Sequence, residues 1–172
     1  MNFNRAKVGD IDALHALVES AYRGESAKRG WTHEADLLGG QRTDARALRE
    51  IIAADNQIIL LAKNRNAIAG CVQLSRVGDR LAYLGLLTVD PALQAAGLGK
   101  HLLAESEQFV REQWQAQAIE MTVIRQRLDL IAYYERRGYA RTGEHRPFPH
   151  DDPRFGQPKS AELEFAVLRK PV

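Results

Sequence analysis

The chain holds 172 residues, 45% hydrophobic and 27% charged, which suits one compact domain spanning residues 1–172 with a sizeable core. Its net charge of +2, with "ERRGYAR" and "RQR" as the most basic pieces, argues against nucleic acid as a partner. The sequence has no apolar run of about 18 residues, and its start, "MNFNRAKVGD", is polar, so neither a membrane span nor a signal peptide is expected.

Arg5 to Val8 reads as a short first strand. Asp10 follows as a helix cap, with Ile11, Leu14, Leu17, Val18 and Ala21 at helical spacing. "RGESAKRG" breaks that helix. "WTHEADLL" predicts a second short helix, with Thr32 as cap and Glu34 in its first turn, and "GGQR" ends it. Asp44 can cap a further helix through Leu48, Ile51 and Ile52. "QIILLAK", "AIAGCVQLSR" and "LAYLGLLTV" are strands joined by the short turns "NRN" and "VGDR", so they should be antiparallel neighbours. In the second of them Ile68, Gly70, Val72 and Leu74 fall on one face.

Pro91 stops the third of these strands. From Leu98 an apolar stripe runs through Leu102, Leu103, Ser106, Phe109 and Val110. "AIEMTVI" is the next strand, "LDLIAYYERR" a helix ended by Gly138, and "YARTGE" and "AELEFAVLRK" the last two strands. A strand, loop, helix, strand order makes a parallel βαβ unit. The fold class is therefore α/β of the α+β kind: a mixed, mostly antiparallel sheet of six to seven strands with flanking helices.

Cys71 is the single cysteine. It lies in an apolar run and reads as a small buried hydrophobe rather than a nucleophile, which fits a reducing cytoplasm. His145, His150, Asp151 and Asp152 are close in sequence but sit in a Pro-rich loop, and no metal is expected there.

The chemistry-bearing stretch is "QAAGLGK", Gln94 to Lys100, at a strand-to-helix turn. Glycines let backbone approach a ligand, and the free N–H groups of a helix start favour anions. A dinucleotide fingerprint needs a third glycine where Leu102 stands. A Walker loop needs glycine at Gln94 and Ser or Thr at His101. A third pattern, Q/R-x-x-G-x-G/A, is satisfied by Gln94, Gly97 and Gly99.

"LGLLTVDPALQAAGLGKHLL" followed by "LDLIAYYERRGY" resembles the GNAT superfamily of N-acetyltransferases. The resemblance covers the order of elements over nearly the whole chain, with the specific motifs between Leu84 and Tyr139. It implies a GNAT-like fold and transfer of an acetyl group from acetyl-CoA to a primary amine of a small molecule or peptide. The amine attacks directly, through a tetrahedral intermediate and without a metal. A non-catalytic acyl-CoA-binding module and a nucleotide-binding protein are the alternatives.

Carried over residue by residue, the resemblance makes Tyr134 the acid and the backbone N–H near Leu87 the oxyanion donor. Leu87, Thr88 and Val89 would pair with the pantetheine arm, and Ala95, Ala96, Gly97, Leu98, Gly99 and Lys100 would hold the pyrophosphate beside Gln94. Asp129 stands where many members carry an Asn that donates to the cofactor, and an ionised Asp cannot donate. Tyr133, rotated about 100° from Tyr134, should face elsewhere.

Trp31, Glu34, Tyr83, Arg146 and Phe148 are candidates for the acceptor side, Trp31 serving equally well as a core cover. Glu34, Tyr83, Glu144 or a water chain could act as base. The Pro-rich stretch "EHRPFPHDDPRFGQPK" could cover the acceptor or form a dimer contact, and the final strand could pair between copies. An acidic pocket would suit a polyamine or aminoglycoside. Arg23, Arg42 and Arg146 point instead to a carboxylate-bearing amine.

Overall fold

The computed structural model describes residues 1–23, 38–94, 96–149, 156–159 and 162–172. The expected "WTHEADLL" helix lies outside these residues up to its last position. There Leu38 belongs to a strand rather than a helix.

Strand β1 (Asn2–Arg5) starts the chain a few residues earlier than expected, because Val8–Asp10 winds into a 3₁₀ turn. Helix α1 (Ile11–Tyr22) follows. Asp10 precedes it without capping it through its side chain. Its carboxylate instead accepts from the Lys7 N–H at 2.9 Å and the Lys63 ammonium at 2.7 Å. Those bonds, the Lys63 one foremost, hold the Asp10 pKa below the ordinary carboxylate value. After β2 (Leu38–Gly39) comes α2 (Ala45–Ala53), which Asp44 does cap by accepting the Ala47 N–H at 2.7 Å.

Strands β3 (Gln57–Asn64), β4 (Ala67–Arg76) and β5 (Leu81–Val89) form the expected antiparallel meander. Helix α3 (Leu98–Trp114) crosses to β6 (Ala118–Ile124), which pairs in parallel with β5. Helix α4 (Leu128–Glu135), β7 (Ala140–Pro147), β8 (Gln157–Pro158) and β9 (Glu164–Pro171) complete the order. The main sheet has seven strands in the order β1-β3-β4-β5-β6-β9-β7, and β2 pairs separately with β8. The final strand therefore lies inside the sheet, between β6 and β7, and is not available to pair between copies.

Each face of the sheet carries its own core. On one, Leu14, Val18 and Leu48 of α1 and α2 pack on Ile59, Leu61, Cys71 and Leu86. On the other, Leu98, Leu102, Leu103, Val110 and Ile131 of α3 and α4 pack on Val72, Leu74, Leu84 and Ile119. The expected single face for Ile68, Val72 and Leu74 is broken. The β3–β4 register slips between Ala62 and Lys63, passing over Ala69, and this bulge sends Ile68 to the α1 side. Glu120 alternates with apolar neighbours yet is buried. Arg146 of β7 and Arg169 of β9 meet its two oxygens at 3.1 and 2.8 Å, which offsets the cost of burying its charge.

Two irregularities position the site. First, β5 and β6 pair only from Leu81 to Tyr83 and then separate, so a cleft opens between Leu84–Val89 and Met121–Ile124. Second, β5 carries one extra residue between Gly85 and Thr88 relative to β4, with Leu86 in the left-handed region at φ 52°. The register passes over Leu86 and Leu87 at that bulge.

Candidate active site

Two cavities open from the split, of about 180 and 300 Å³. Tyr22, Leu87, Leu130 and Tyr134 line both. The smaller is walled by Val89, Leu93, Gln94, Gly97, Leu98, Gly99 and Lys100, together with Tyr133 and Arg137. The larger is walled by β5 and β6 residues, by Arg23, Arg42 and Arg127, and by Phe148 and Phe165.

Backbone shapes one side of the smaller cavity. Asp90 closes the turn Pro91–Leu93 by accepting the Ala92 N–H at 2.9 Å. The Gln94 amide donates to the Val89 carbonyl at 3.3 Å and ties the loop to the end of β5. Gly97 then caps α3 at φ 80°, without a side-chain cap. The first N–H groups of α3 consequently have no partner within the helix, and no acidic residue occupies that turn. A Cβ on Gly99 would sit 2.8 Å from the Tyr133 hydroxyl, so the backbone there is pressed close under that ring. With Lys100 alongside, these amides could hold an anionic group, and the pyrophosphate of an acyl-CoA is one that would suit them.

Helix α4 contributes both of its adjacent tyrosines. Tyr133, expected to face elsewhere, lines the smaller cavity with Tyr134. The two rings meet edge-on at 5.3 Å, and the helix runs beside the cleft so that faces about 100° apart flank it. Only Tyr134 also reaches the larger cavity. Arg137 stacks on the Tyr133 ring with its Cζ 3.4 Å from the centroid and donates to the Tyr133 carbonyl at 2.7 Å. Burial pushes the Tyr133 phenol above its ordinary pKa against the opposing charge of Arg137.

At the junction, the Tyr22 hydroxyl donates to the Leu87 carbonyl, fixing the bulged peptide from the α1 side. The Leu86 carbonyl accepts from the Thr88 hydroxyl at 2.9 Å. Neither Tyr22 nor Arg137 is marked by sequence. Tyr22 reads as the last apolar residue of an amphipathic helix, and Arg137 as one charge in a basic run.

The remaining candidates divide. Gln94, Gly97, Leu98, Gly99, Lys100, Leu87 and Val89 come together in the smaller cavity. Thr88 is buried and turned to Leu86, and Ala96 lies outside the lining. Asp129 also lies outside both cavities. Burial works against its ionisation, but its bond to Arg127 at 3.2 Å prevails and holds the pKa below the ordinary value. Tyr83 and Phe148 line the larger cavity, Tyr83 sharing a 2.7 Å hydrogen bond with Thr122. Arg146 is engaged by Glu120 and by Glu144, whose pKa it lowers, and neither Arg146 nor Glu144 lines that cavity. Trp31, Glu34, Ala95, His150, Asp151 and Asp152 lie outside the described residues.

Cys71 is fully buried, and desolvation pushes its thiol up to about 12, so it is not a nucleophile at neutral pH. Among the described residues, no group of three His, Cys, Asp or Glu side chains could hold a metal ion. No helix among them is long and apolar enough to cross a membrane.

No curated protein matches the sequence. Three solved structures illustrate the shared fold. The ribosomal-protein-alanine N-acetyltransferase from Brucella melitensis is 17% identical with TM-score 0.71, each chain covered at 100%. A mutant of the spermidine N-acetyltransferase from Vibrio cholerae is 12% identical with TM-score 0.69, covering 99% of this chain and 92% of the other. A Bacillus anthracis protein assigned as a streptothricin acetyltransferase, in complex with acetyl coenzyme A, is 22% identical with TM-score 0.59, covering 73% and 68%. The profile of the acetyltransferase (GNAT) family matches residues 14–139, well over half of the sequence, and the chain belongs to that family, whose general reaction is acetyl-CoA-dependent acetylation.

Proposed function

We propose that this protein transfers an acetyl group from acetyl-CoA to a primary amine by direct attack. The observation that carries the reading is the meeting of two cavities at Leu87 and Tyr134. One has the donors for a pyrophosphate, and the other has room for an acceptor. Acetyl-CoA supplies the activated acetyl group. The loop amides from Gly97 to Lys100 bind its diphosphate, and the open edge of β5 from Leu87 to Val89 pairs with the pantetheine arm as an added strand would.

The amine nitrogen forms a bond to the thioester carbon as the carbonyl electron pair moves to oxygen. The Leu87 N–H, presented at the bulge, donates to that oxyanion. Collapse of the tetrahedral species breaks the carbon–sulfur bond, and the Tyr134 hydroxyl donates its proton to the departing sulfur. The amine sheds a proton to water or to Tyr83, the one base candidate that lines the larger cavity among the described residues. Tyr22 positions the Leu87 peptide through its carbonyl.

Other solved members with this fold are named for acetylating ribosomal-protein alanine and spermidine, both amines. That supports the amine class without choosing within it. The single buried thiol suits a reducing cytoplasm.

The test combines binding with turnover. Acetyl-CoA should raise the thermal midpoint where ATP and NAD do not, since a ligand stabilises the state it binds. An amine panel with acetyl-CoA should release thiol. Binding with no release from any amine would favour the non-catalytic acyl-CoA module. A shift by ATP or NAD alone would favour a nucleotide-binding protein.

A further inference from the structure

The described lining of the larger cavity carries several arginines. Among the described residues its ionisable lining includes Arg23, Arg42 and Arg127 and no aspartate or glutamate. Arg127 is partly satisfied by Asp129 at 3.2 Å. Arg42 is placed differently. Its guanidinium lies over the Tyr22 ring, 5.4 Å from the centroid, and among the described residues no carboxylate forms an ion pair with it.

The backbone that carries Arg42 is fixed. The Glu19 carboxylate accepts the Arg42 N–H at 2.7 Å and the Thr43 N–H at 2.9 Å, and the His15 imidazole meets the Thr43 carbonyl at 3.2 Å. The nearby acid is thus committed to main chain, and the guanidinium is left at the cavity wall. A planar guanidinium with its donors in a fork takes a carboxylate through two parallel bonds.

Position sharpens this. The Tyr22 ring that Arg42 covers is the one whose hydroxyl holds Leu87. One tyrosine ring therefore separates the cation from the proposed reaction point. An α-amino acid carries its amine only two bonds from the carboxyl carbon, so a carboxylate held at Arg42 keeps the amine within the cavity that Leu87 and Tyr134 line. Resting on the acetyl-transfer reading above, we infer that the acceptor is an amine with a neighbouring carboxylate, an α-amino acid or close analogue, bound through Arg42.

The experiment uses the whole chain, acetyl-CoA, the twenty common L-amino acids, their carboxamides, and spermidine. Thiol release gives kcat/KM, and calorimetry in the presence of CoA gives the affinity of the N-acetylated acids and amides. The expected result is at least a tenfold preference for acids over matched carboxamides. Arg42→Gln should erase that preference through KM, Arg42→Lys should restore part of it, and acetyl-CoA affinity should persist in both variants.

Equal use of acids and carboxamides, or preference for spermidine, overturns the inference while leaving acetyl transfer standing. Acids that bind better than carboxamides without thiol release would overturn transfer and keep the carboxylate site. Neither binding nor thiol release with any acid, carboxamide or spermidine overturns both.

Discussion

The two cavities that meet at Tyr134 are built from different materials. The smaller adds main chain, at a left-handed glycine, the first amides of α3 and the end of a bulged strand, to side chains such as Leu93, Leu130, Tyr133 and Arg137. The larger is side chains from α1, α4, the β2–α2 connection and the strands β4, β5, β6 and β9. Main chain presents the same donors whatever the side chains are, so a co-substrate shared by many relatives can be held by a few fixed residues. Side chains can change one at a time, which leaves an acceptor pocket free to differ between relatives of one fold.

Substitutions can test that division. The largest effect is expected at the junction, where both materials serve the reaction. Tyr134→Phe should lower turnover by about 10²–10⁴-fold, the usual range for a lost general acid, with acetyl-CoA affinity nearly unchanged by calorimetry. Normal turnover with a good acceptor would remove the tyrosine from the chemistry.

Next comes the smaller cavity. A Cβ at Gly97 meets nothing within 4 Å, so the obstacle to a side chain is its φ of 80° rather than space. Holding a non-glycine residue there costs about 2 kcal/mol, so Gly97→Ala and Gly97→Val should each weaken acetyl-CoA by roughly thirtyfold. Retained affinity in both would show that the loop is not the cradle.

Tyr22→Phe separates a structural tie from a chemical one. It leaves the Leu87 carbonyl without its partner, an effect of about 1 kcal/mol, and should lower kcat several-fold while acetyl-CoA affinity holds. A fall in affinity alone would place Tyr22 with the cofactor instead.

The smallest effect lies away from both cavities. Cys71 should resist a maleimide at pH 8 in the native protein and react in urea. With the folded pKa raised to about 12, its contribution to stability is present in full below the ordinary thiol value and declines as pH rises from there toward 12. The midpoint of urea unfolding should therefore drop more steeply above pH 9 in the wild type than in Cys71→Ala.

The difference in material also governs what the sequence discloses. Most of the fold is legible: β3 to β6, α2, α3 and the parallel crossover all follow from apolar period and turn residues. The loop is legible because its geometry demands glycine at a fixed distance from a strand. The misreadings have specific causes. The bulge at Ala69 reverses the side on which Ile68 packs, and alternation cannot announce an extra residue. Helical rotation alone points Tyr133 elsewhere, but rotation does not tell how a helix lies against a cleft. The burial of Glu120 is not announced in sequence either, because its partners, Arg146 and Arg169, are distant along the chain. Tyr22 and Arg42 enter the site through tertiary packing of α1 and the β2–α2 connection.

The separation of β5 from β6 after Tyr83 leaves two strand edges facing each other across an interior gap. An extended ligand arm lying there would act as a removable member of the sheet. The protein's resilience would then follow the local supply of that ligand: amide protons of Leu84–Val89 would exchange slowly when it is plentiful and quickly when it is scarce.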